Sequence, residues 1–375
     1  MRRAELPTPC YIVDIAKLRS NLELLQQVER ASGCHILLAQ KAFSCFAVYP
    51  MIAEYISGTT ASGLYEAKLG HEQFGKETHV FSPAYTVDEM TSLCKICDHI
   101  SFNSFRQLET HRAIWKKANV SVGIRVNPEC STQGDHAIYD PCASGSRLGV
   151  PLKHFRPDLL SGVEGLHFHT LCEQNADALI TTFAAFEKNF GQYLPRMKWL
   201  NLGGGHHITR EDYDVDGLVQ LIRRIRAQYG VAVYLEPGEA IALNAGYLDT
   251  TVMDIVENDI SVLILDASAA CHMPDVLEMP YRPPLQSAGK WGEKPYAYRL
   301  SSRTCLAGDV IGDYSFDHPV QIGDRLTFED MAIYSMVKNN TFNGMPLPAI
   351  VLQHENGDCE IVKEFDYKDF KDRLS

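Results

Sequence analysis

Four groups along the chain could do chemistry together. They are an amine at Lys41, imidazoles at His167 and His169, three successive glycines at 203–205 and a carboxylate at Glu236. Each follows a short apolar run, so each is predicted to lie at the C-terminal end of a strand. The C-terminal ends of parallel strands share one face of an α/β fold, which would bring the four groups to one site.

One cofactor, pyridoxal phosphate, would use all four groups. Lys41 would form a Schiff base with its aldehyde, because burial lowers the pKa of an ammonium group towards the nucleophilic amine. The glycines at 203–205 would let backbone N–H groups approach a phosphate. Glu236 would keep the pyridine nitrogen protonated, and His169 would stack on the ring.

Each of these residues also has an ordinary explanation. A strand can lead into a solvated lysine, a tight turn can require glycines, and Glu236 could be a turn residue before Pro237. His167, His169 and His206 could instead bind a metal in a barrel hydrolase, although no paired carboxylates accompany them. Because the four groups occur together, we predict pyridoxal phosphate and no metal.

Strands and helices alternate through the first two thirds of the chain. The predicted strands are 35–39, 55–60, 79–82, 99–102, 120–126, 163–168, 198–202 and 231–235. The predicted helices between them include 65–73, 104–117, 176–190 and 215–229. This order predicts a (β/α)8 TIM-type barrel rather than an open doubly wound sheet.

After residue 244 the sequence becomes rich in strands. The predicted segments are 246–256, 260–266, 325–329, 350–353 and 359–365, and 289–295 is predicted as an exposed loop. We expect an antiparallel β-domain, which the lone N-terminal strand 9–14 would join. The predicted domains are therefore a barrel over 27–243 and a β-domain over 1–26 plus 244–375.

The composition is that of an ordinary globular protein. Hydrophobic residues make up 45% of the 375 residues, and the length suggests two domains. A net charge of −12 disfavours nucleic acid or an anionic membrane as a partner. Eleven cysteines without a repeated spacing, and the lack of a membrane-length apolar run or signal peptide, favour a cytoplasmic location.

The chain resembles the fold-type III pyridoxal-phosphate decarboxylases, an alanine racemase-like group that includes ornithine and diaminopimelate decarboxylases. The resemblance runs nearly end to end. Its motifs are TPCYIVD (8–14), LAQKAF (38–43), GLHFH (165–169), LGGG (202–205), EPG (236–238), TCLAGD (304–309), MAIY (331–334) and TFNG (341–344). The stretch DASAACHMPDV (266–276) is similar to the carboxynorspermidine/carboxyspermidine branch of the family.

The resemblance implies a role for each matching residue. It assigns cofactor binding to Lys41, Arg125, His169, Gly204, Gly205, Glu236 and Tyr334. Cys305 is implied to protonate the substrate carbanion in the partner's site of a head-to-tail homodimer, and Lys41 and His169 complete the catalytic set. A cysteine is by itself more often a small buried hydrophobe.

Three positions depart from the usual family pattern. Glu239 stands where ornithine and diaminopimelate decarboxylases have arginine, so a carboxylate suited to a substrate amine replaces a cation. Leu306 replaces the acid that normally follows the cysteine, and Cys172 replaces a phosphate-binding serine. We predict substrate contacts at Glu239 and Asp275, and also at Cys305 and Asp309.

The resemblance implies decarboxylation of carboxynorspermidine or carboxyspermidine to norspermidine or spermidine. Alternatives are a decarboxylase of diaminopimelate or another basic amino acid, a racemase of the same fold, and a non-catalytic regulator that binds pyridoxal phosphate. A racemase would need a second acid/base group, for which Cys305 is a poor substitute. A regulator would have no need of Lys41, Glu236 and Cys305 together.

Overall fold

The computed structural model describes residues 1–134 and 137–375. The chain forms two compact units, a barrel unit of Asn21–Ile241 and a sheet unit of Met1–Ser20 with Ala242–Ser375. We propose these units as the two domains, in place of the predicted boundaries at residues 27 and 243. Among the described residues, none of the helices combines the length and the apolar character that a membrane crossing requires.

The barrel unit contains a closed barrel in which each strand pairs in parallel with the next. Its strands are His35–Ala39, Gly58–Ala61, Glu77–Ser82, His99–Phe102, Ser121–Arg125, Gly165–His167, Trp199–Asn201 and Ala232–Leu235. All the predicted barrel strands are confirmed, with small shifts at their ends. Such strands are buried on both faces, which explains the nearly continuous apolar sequences of His35–Ala39 and Ala232–Leu235.

Helices follow most of the barrel strands. They are Tyr49–Ala53, Leu64–Gln73, Val87–Leu93, Phe105–Thr110, Arg112–Trp115, Ala176–Phe190, Val215–Tyr229 and Glu239–Ala242, and a further helix, Ile15–Ser32, precedes the first barrel strand. The predicted helix 104–117 is interrupted at His111, whose buried ring bonds to the Tyr85 carbonyl oxygen at 3.0 Å. By contrast, 215–229 is one helix, because Asp214 caps its start and Gly230 ends it in the left-handed conformation.

Aromatic and imidazole rings fill the N-terminal end of the barrel. The His99 ring lies 4.1 Å from that of His79 and is stacked at 4.7 Å on that of Trp199. A Cβ at Gly165 would come within 2.0 Å of the Trp199 ring, and one at Gly123 within 2.3 Å. Glycine at these two positions therefore makes room for the indole.

The sheet unit is built on one sheet of mixed direction. Its strands are Cys10–Asp14, Gly246–Asn258, Ile260–Leu265, Gly289–Lys290, Tyr296–Ser302, Val310–Phe316, Arg325–Glu329, Ala349–Gln353 and Cys359–Lys363. Its helices are Ala269–His272, Asp275–Glu278, Ser335–Lys338 and Tyr367–Lys371. The predicted N-terminal strand joins this sheet between Gly246–Asn258 and Ala349–Gln353.

One expectation for this unit was wrong. The sheet is not purely antiparallel, because Cys10–Asp14 runs parallel to Ala349–Gln353 and Ile260–Leu265 runs parallel to Tyr296–Ser302. The predicted exposed loop 289–295 is confirmed over 291–295, and its first two residues form a short strand, Gly289–Lys290. Pairing direction depends on distant partners, which local sequence patterns do not record.

Candidate active site

Lys41 lies in a turn just beyond the first barrel strand, His35–Ala39. The preceding Gln40 is completely buried, and its side-chain amide donates to the Glu66 carbonyl oxygen at 2.8 Å. Part of the Lys41 side chain is exposed. Burial of its amine, followed by the Arg125 cation, lowers the pKa of Lys41. A lowered pKa favours the neutral amine, which is the form that adds to an aldehyde.

Glu236 follows the last barrel strand and is buried. Its Oε1 accepts hydrogen bonds from the Thr60 hydroxyl at 2.9 Å and from the Asn201 amide at 2.7 Å. Its Oε2 lies 3.7 Å from His167 Nε2 and 4.0 Å from His169 Nδ1, too far for hydrogen bonds. Burial raises the pKa of Glu236, but His167 and the two hydrogen bonds outweigh it, so the carboxyl is ionised at neutral pH.

The two histidines of the GLHFH motif are both neutral at pH 7. Burial lowers the pKa of His167 to about 4, and neither of its ring nitrogens has a hydrogen-bond partner among the described residues. Burial, followed by Lys41 and Arg125, lowers the pKa of His169 well below its ordinary value. The strand ends at His167, so His169 lies beyond it, with the two rings 6.4 Å apart.

Arg125 is the last residue of its barrel strand and is buried. Its Nη2 donates to the His169 carbonyl oxygen at 2.9 Å, and its guanidinium lies 4.4 Å above the Phe81 ring. Burial lowers the pKa of Arg125 to about 10, which Glu236 opposes, so the group remains charged at neutral pH. It therefore supplies a fixed cation beside Lys41 and Glu236.

The triple-glycine loop packs against backbone on both sides. A Cβ at Gly205 would lie 2.0 Å from the Leu171 carbonyl oxygen, and one at Gly204 would lie 2.4 Å from that of Glu236. The Gly204 N–H points to His169 Nδ1 at 3.3 Å. Backbone packing alone thus requires these glycines, and phosphate binding by Gly204 and Gly205 stays a prediction.

Glu239 is the first residue of the helix Glu239–Ala242, directly after the EPG motif. Burial, followed by the Glu173 and Glu239 carboxylates, raises the pKa of the Cys172 thiol to about 12. Glu239 therefore contributes negative charge around Cys172, on the loops that follow the barrel strands. A substrate contact at Glu239 stays a prediction.

The other predicted site residues belong to the sheet unit. Cys305 is exposed, and its N–H donates to Asn343 Oδ1 at 2.9 Å. Tyr334 has φ 55° and ψ −15°, a left-handed conformation that is strained for a residue with a Cβ. Such strain is concentrated at functional sites, which supports the predicted role of Tyr334 in cofactor binding.

The contacts of two predicted substrate-binding acids do not favour that role. Asp309 is buried, and both of its oxygens accept hydrogen bonds from the protein. Asp275 forms an ion pair with Lys338, which also pairs with Glu278. An ammonium group of the same unit therefore already neutralises Asp275, and Asp309 presents no carboxylate oxygen at the surface.

Sequence reasoning missed the residues that hold the predicted ones in place. Thr60 and Asn201 fix one oxygen of Glu236, and Gln40 anchors the turn before Lys41. A signal was present for Gln40 and Asn201, each a polar residue at the end of an apolar run, but Thr60 follows Ser57-Gly58-Thr59 and had no such signal. A buried polar side chain must find a partner, which marks such positions for attention.

The barrel residues fit pyridoxal phosphate. Among the described residues, an ionised carboxylate whose Oε2 has no hydrogen-bond partner, an amine of lowered pKa and an unpartnered buried histidine lie close together. Ligand atoms of His167, His169 and Glu236 also lie within 4.8 Å of one another, so this set could hold a metal ion. The geometry alone therefore leaves both kinds of site open.

Comparisons with known proteins separate these alternatives. The sequence model described as "Pyridoxal-dependent decarboxylase, C-terminal sheet domain" matches residues 10–332. The chain is 42% identical to the carboxynorspermidine/carboxyspermidine decarboxylase of Campylobacter jejuni, over 98% of both proteins. It is also 42% identical to the carboxyaminopropylagmatine decarboxylase of Synechocystis, over 100% of this chain and 97% of that protein.

Solved structures give the same result for the fold. The crystal structure of carboxynorspermidine decarboxylase from Campylobacter jejuni, complexed with norspermidine, matches with a TM-score of 0.92 and 41% identity. This match covers 98% of the present chain and 100% of that one. Diaminopimelate decarboxylase from Helicobacter pylori, complexed with L-lysine, matches with a TM-score of 0.82 at 17% identity, covering 98% and 96% of the two chains. The predicted barrel-plus-sheet architecture is confirmed.

Proposed function

This chain belongs to the family of pyridoxal-dependent decarboxylases, and we propose that it converts carboxynorspermidine or carboxyspermidine to norspermidine or spermidine. The family confirms pyridoxal phosphate as the cofactor and decarboxylation as the reaction. One observation carries the substrate class: the 42% identity, over 98% of both chains, with a relative named for these two substrates. A metal-dependent hydrolase and a racemase are not supported by these comparisons.

The barrel residues divide the work of binding the cofactor and holding protons. When bound, pyridoxal phosphate supplies a conjugated ring that accepts the electron pair left by the departing CO2. Lys41 would bind the cofactor covalently through its amine. Glu236 would hold a proton at the pyridine nitrogen through Oε2, because Thr60 and Asn201 already bind Oε1.

Two further residues would act on the substrate. Cys305 would donate a proton from its thiol to the carbon that has lost CO2. The Glu239 carboxylate would bind an ammonium group of the polyamine chain, a contact that a relative with arginine at this position could not make. The TCLAGD motif supports the role of Cys305, and the negative charge that Glu239 contributes around Cys172 supports the role of Glu239.

Carboxyaminopropylagmatine is a second candidate substrate. The chain is 42% identical to a relative named for this compound, which equals its identity to the relative named for carboxynorspermidine and carboxyspermidine. The compounds differ at the distal end, where agmatine carries a guanidinium group and the other two carry an ammonium group. A carboxylate such as Glu239 can bind either cation, so turnover has to decide.

The test compares substrates on the purified enzyme loaded with pyridoxal phosphate. CO2 release and amine product would be measured for carboxynorspermidine, carboxyspermidine, carboxyaminopropylagmatine, diaminopimelate and ornithine. We expect kcat/KM for carboxynorspermidine or carboxyspermidine to exceed that for the two amino acids by about 100-fold or more. Lys41→Ala should abolish turnover, whereas Lys198→Ala, which removes an exposed barrel lysine, should not.

Other results would change the assignment in specific ways. Preference for carboxyaminopropylagmatine would replace the substrate but keep the reaction. Preference for diaminopimelate or ornithine would refute the proposed polyamine class. If no substrate turned over although the cofactor gave its visible absorbance, a non-catalytic regulator would become the better description.

We also propose a cytoplasmic homodimer in which Cys305 completes the partner's site. Leu306 and Phe342, close to Cys305 in the same unit, expose 44% and 47% of their surfaces, as is common at interfaces. Mixing Lys41→Ala with Cys305→Ala, each inactive alone, should restore about a quarter of wild-type activity, because half of randomly formed dimers are mixed and each has one intact site. Absence of recovery, with exchange shown by a tagged subunit, would refute the shared site.

A further inference from the structure

Three segments of the sheet unit meet around the loop that carries Cys305. The loop joins the strands Tyr296–Ser302 and Val310–Phe316. The segment 266–276 lies against it through hydrogen bonds to Asp309. The segment 339–346 is held to 266–276, because the Asn340 side chain donates to the Ala270 carbonyl oxygen at 2.8 Å.

Asp309 is the centre of this junction. Its Oδ2 accepts the hydroxyls of Ser268 at 2.7 Å, Ser302 at 2.5 Å and Thr304 at 2.6 Å. Its Oδ1 accepts the backbone N–H of Ala270 at 3.1 Å. Burial opposes ionisation of Asp309, but these hydrogen bonds outweigh it and lower its pKa, so the acceptor is a carboxylate at neutral pH.

Cys305 is fixed on both sides by this arrangement. The neighbouring Thr304 donates its hydroxyl to Asp309 and its backbone N–H to the Ser302 hydroxyl at 3.1 Å. From the other segment, Asn343 accepts the Cys305 N–H at 2.9 Å. The backbone of Cys305 is therefore held, while its side chain remains exposed.

We propose that Asp309 is a positioning residue that sets where the Cys305 thiol stands. The inference rests on the proposed function, in which that thiol donates the proton after decarboxylation. Because the same carboxylate binds Ser268 and Ala270, it also ties the branch-specific segment 266–276 to the thiol. The role differs from the substrate contact that the sequence predicted for Asp309.

The test compares two buried carboxylates of the same unit in the holoenzyme. Asp309→Asn removes an acceptor for three hydroxyls. Asp249→Asn is the matched control, because Asp249 is equally buried and binds Arg3 and Thr327, with no contact to the Cys305 loop. For each variant, kcat, KM, cofactor absorbance and the rate of Cys305 alkylation by iodoacetamide would be measured. Peptide mass spectrometry would read the alkylation at Cys305, the exposed member of the eleven cysteines, all of which are described.

Asp309→Asn should lower kcat about tenfold or more at nearly unchanged KM, since small misplacement of a reacting group costs one to two orders of magnitude. It should also change the alkylation rate several-fold with the cofactor still bound, while Asp249→Asn leaves both rates within about twofold. Wild-type kcat and alkylation in Asp309→Asn, or equal losses in the two variants, would overturn the proposal.

If Asp309→Asn does not fold, a second variant can test whether this junction positions the thiol. Asn343→Gly keeps the left-handed backbone, since Asn343 has φ 56°, but removes the acceptor of the Cys305 N–H. It should change the alkylation rate in the same way, and an unchanged rate would overturn the positioning of the thiol by this junction. If Cys305→Ser keeps full turnover, the proposed proton donor fails, yet alkylation still reports on positioning.

Discussion

Glu236 in the barrel unit and Asp309 in the sheet unit are both buried carboxylates whose pKa lies below its ordinary value. They differ in how their oxygens are used. Glu236 binds two protein donors through Oε1 alone, and the nearest histidine nitrogen lies 3.7 Å from Oε2. Asp309 binds four protein donors through both oxygens. Glu236 therefore has one oxygen left for the proposed cofactor contact, whereas both oxygens of Asp309 accept hydrogen bonds within the protein.

One buried histidine of each unit shows the same difference in hydrogen bonding. His167 of the barrel unit has no hydrogen-bond partner for either ring nitrogen among the described residues. His272 of the sheet unit accepts the Ser268 N–H at Nδ1 and lies 3.1 Å from the Pro346 carbonyl oxygen at Nε2. Buried polar groups without partners are rare and costly, so the unpartnered ring of His167 supports the proposed cofactor site.

Replacing Glu236 by Gln should have the largest effect on activity. The amide oxygen can still accept from Thr60 and Asn201, but the negative charge that would hold the pyridine proton is lost. We expect kcat/KM to fall about 100- to 1000-fold, as when other preorganised charges are removed. Steady-state kinetics with visible absorbance as the check on cofactor binding would measure this.

Glu77→Gln is the matched control, because Glu77 lies at the opposite end of a barrel strand and bonds to His79. It should leave kcat/KM nearly unchanged. If Glu236→Gln also kept kcat/KM within tenfold of wild type, the oxygen left outside hydrogen bonds would have no role in the chemistry.

Folding stability should respond in the opposite order to activity: Asp309→Asn should destabilise the protein more than Glu236→Gln. Asn at position 309 would turn an NH2 group towards the hydroxyls of Ser268, Ser302 and Thr304 and leave buried donors without acceptors. We expect Asp309→Asn to cost about 2–4 kcal/mol in the free energy of unfolding, and Glu236→Gln less than about 1 kcal/mol. Urea titrations of both variants would measure the difference, and equal costs would remove the distinction between the two carboxylates.

The parts of the fold that were predictable carry their signal locally. The barrel strand His35–Ala39 is buried on both faces and has a nearly continuous apolar sequence, which made it predictable. Tyr296–Ser302 was missed because its burial alternates and polar residues interrupt it. Its direction relative to Ile260–Leu265 also depends on a partner more than thirty residues away.

The same limit applies to the site. Lys41 and Glu236 could be predicted because each ends an apolar strand, and strand ends converge in a barrel. No periodic sequence pattern predicts that Ser268, Ser302 and Thr304 all bond to Asp309, because these residues come from separate segments. The sequence therefore showed that Asp309 lies four residues after Cys305, but not that its carboxylate is buried.

The smallest of the predicted effects is the loss of folding stability at acid pH that a third buried histidine, His99, should cause. His99 stacks between His79 and Trp199, and its Nδ1 is buried without a partner among the described residues. Burial, followed by His79 and His35, lowers the pKa of His99 to about 2. Below pH 6.5 the unfolded chain therefore binds a proton at this residue that the folded barrel does not bind, so stability is lost as the pH falls.

His99→Phe keeps a flat ring in the stack but removes the ionisable group. The loss of unfolding free energy between pH 7.5 and pH 5.0 should therefore be about 2 kcal/mol smaller in the variant than in wild type. His154→Gln, an exchange of an exposed barrel-unit histidine, should leave that loss unchanged. An equal loss in His99→Phe and wild type would mean that the folded barrel already binds this proton, because only a proton taken up in both states leaves the pH dependence untouched.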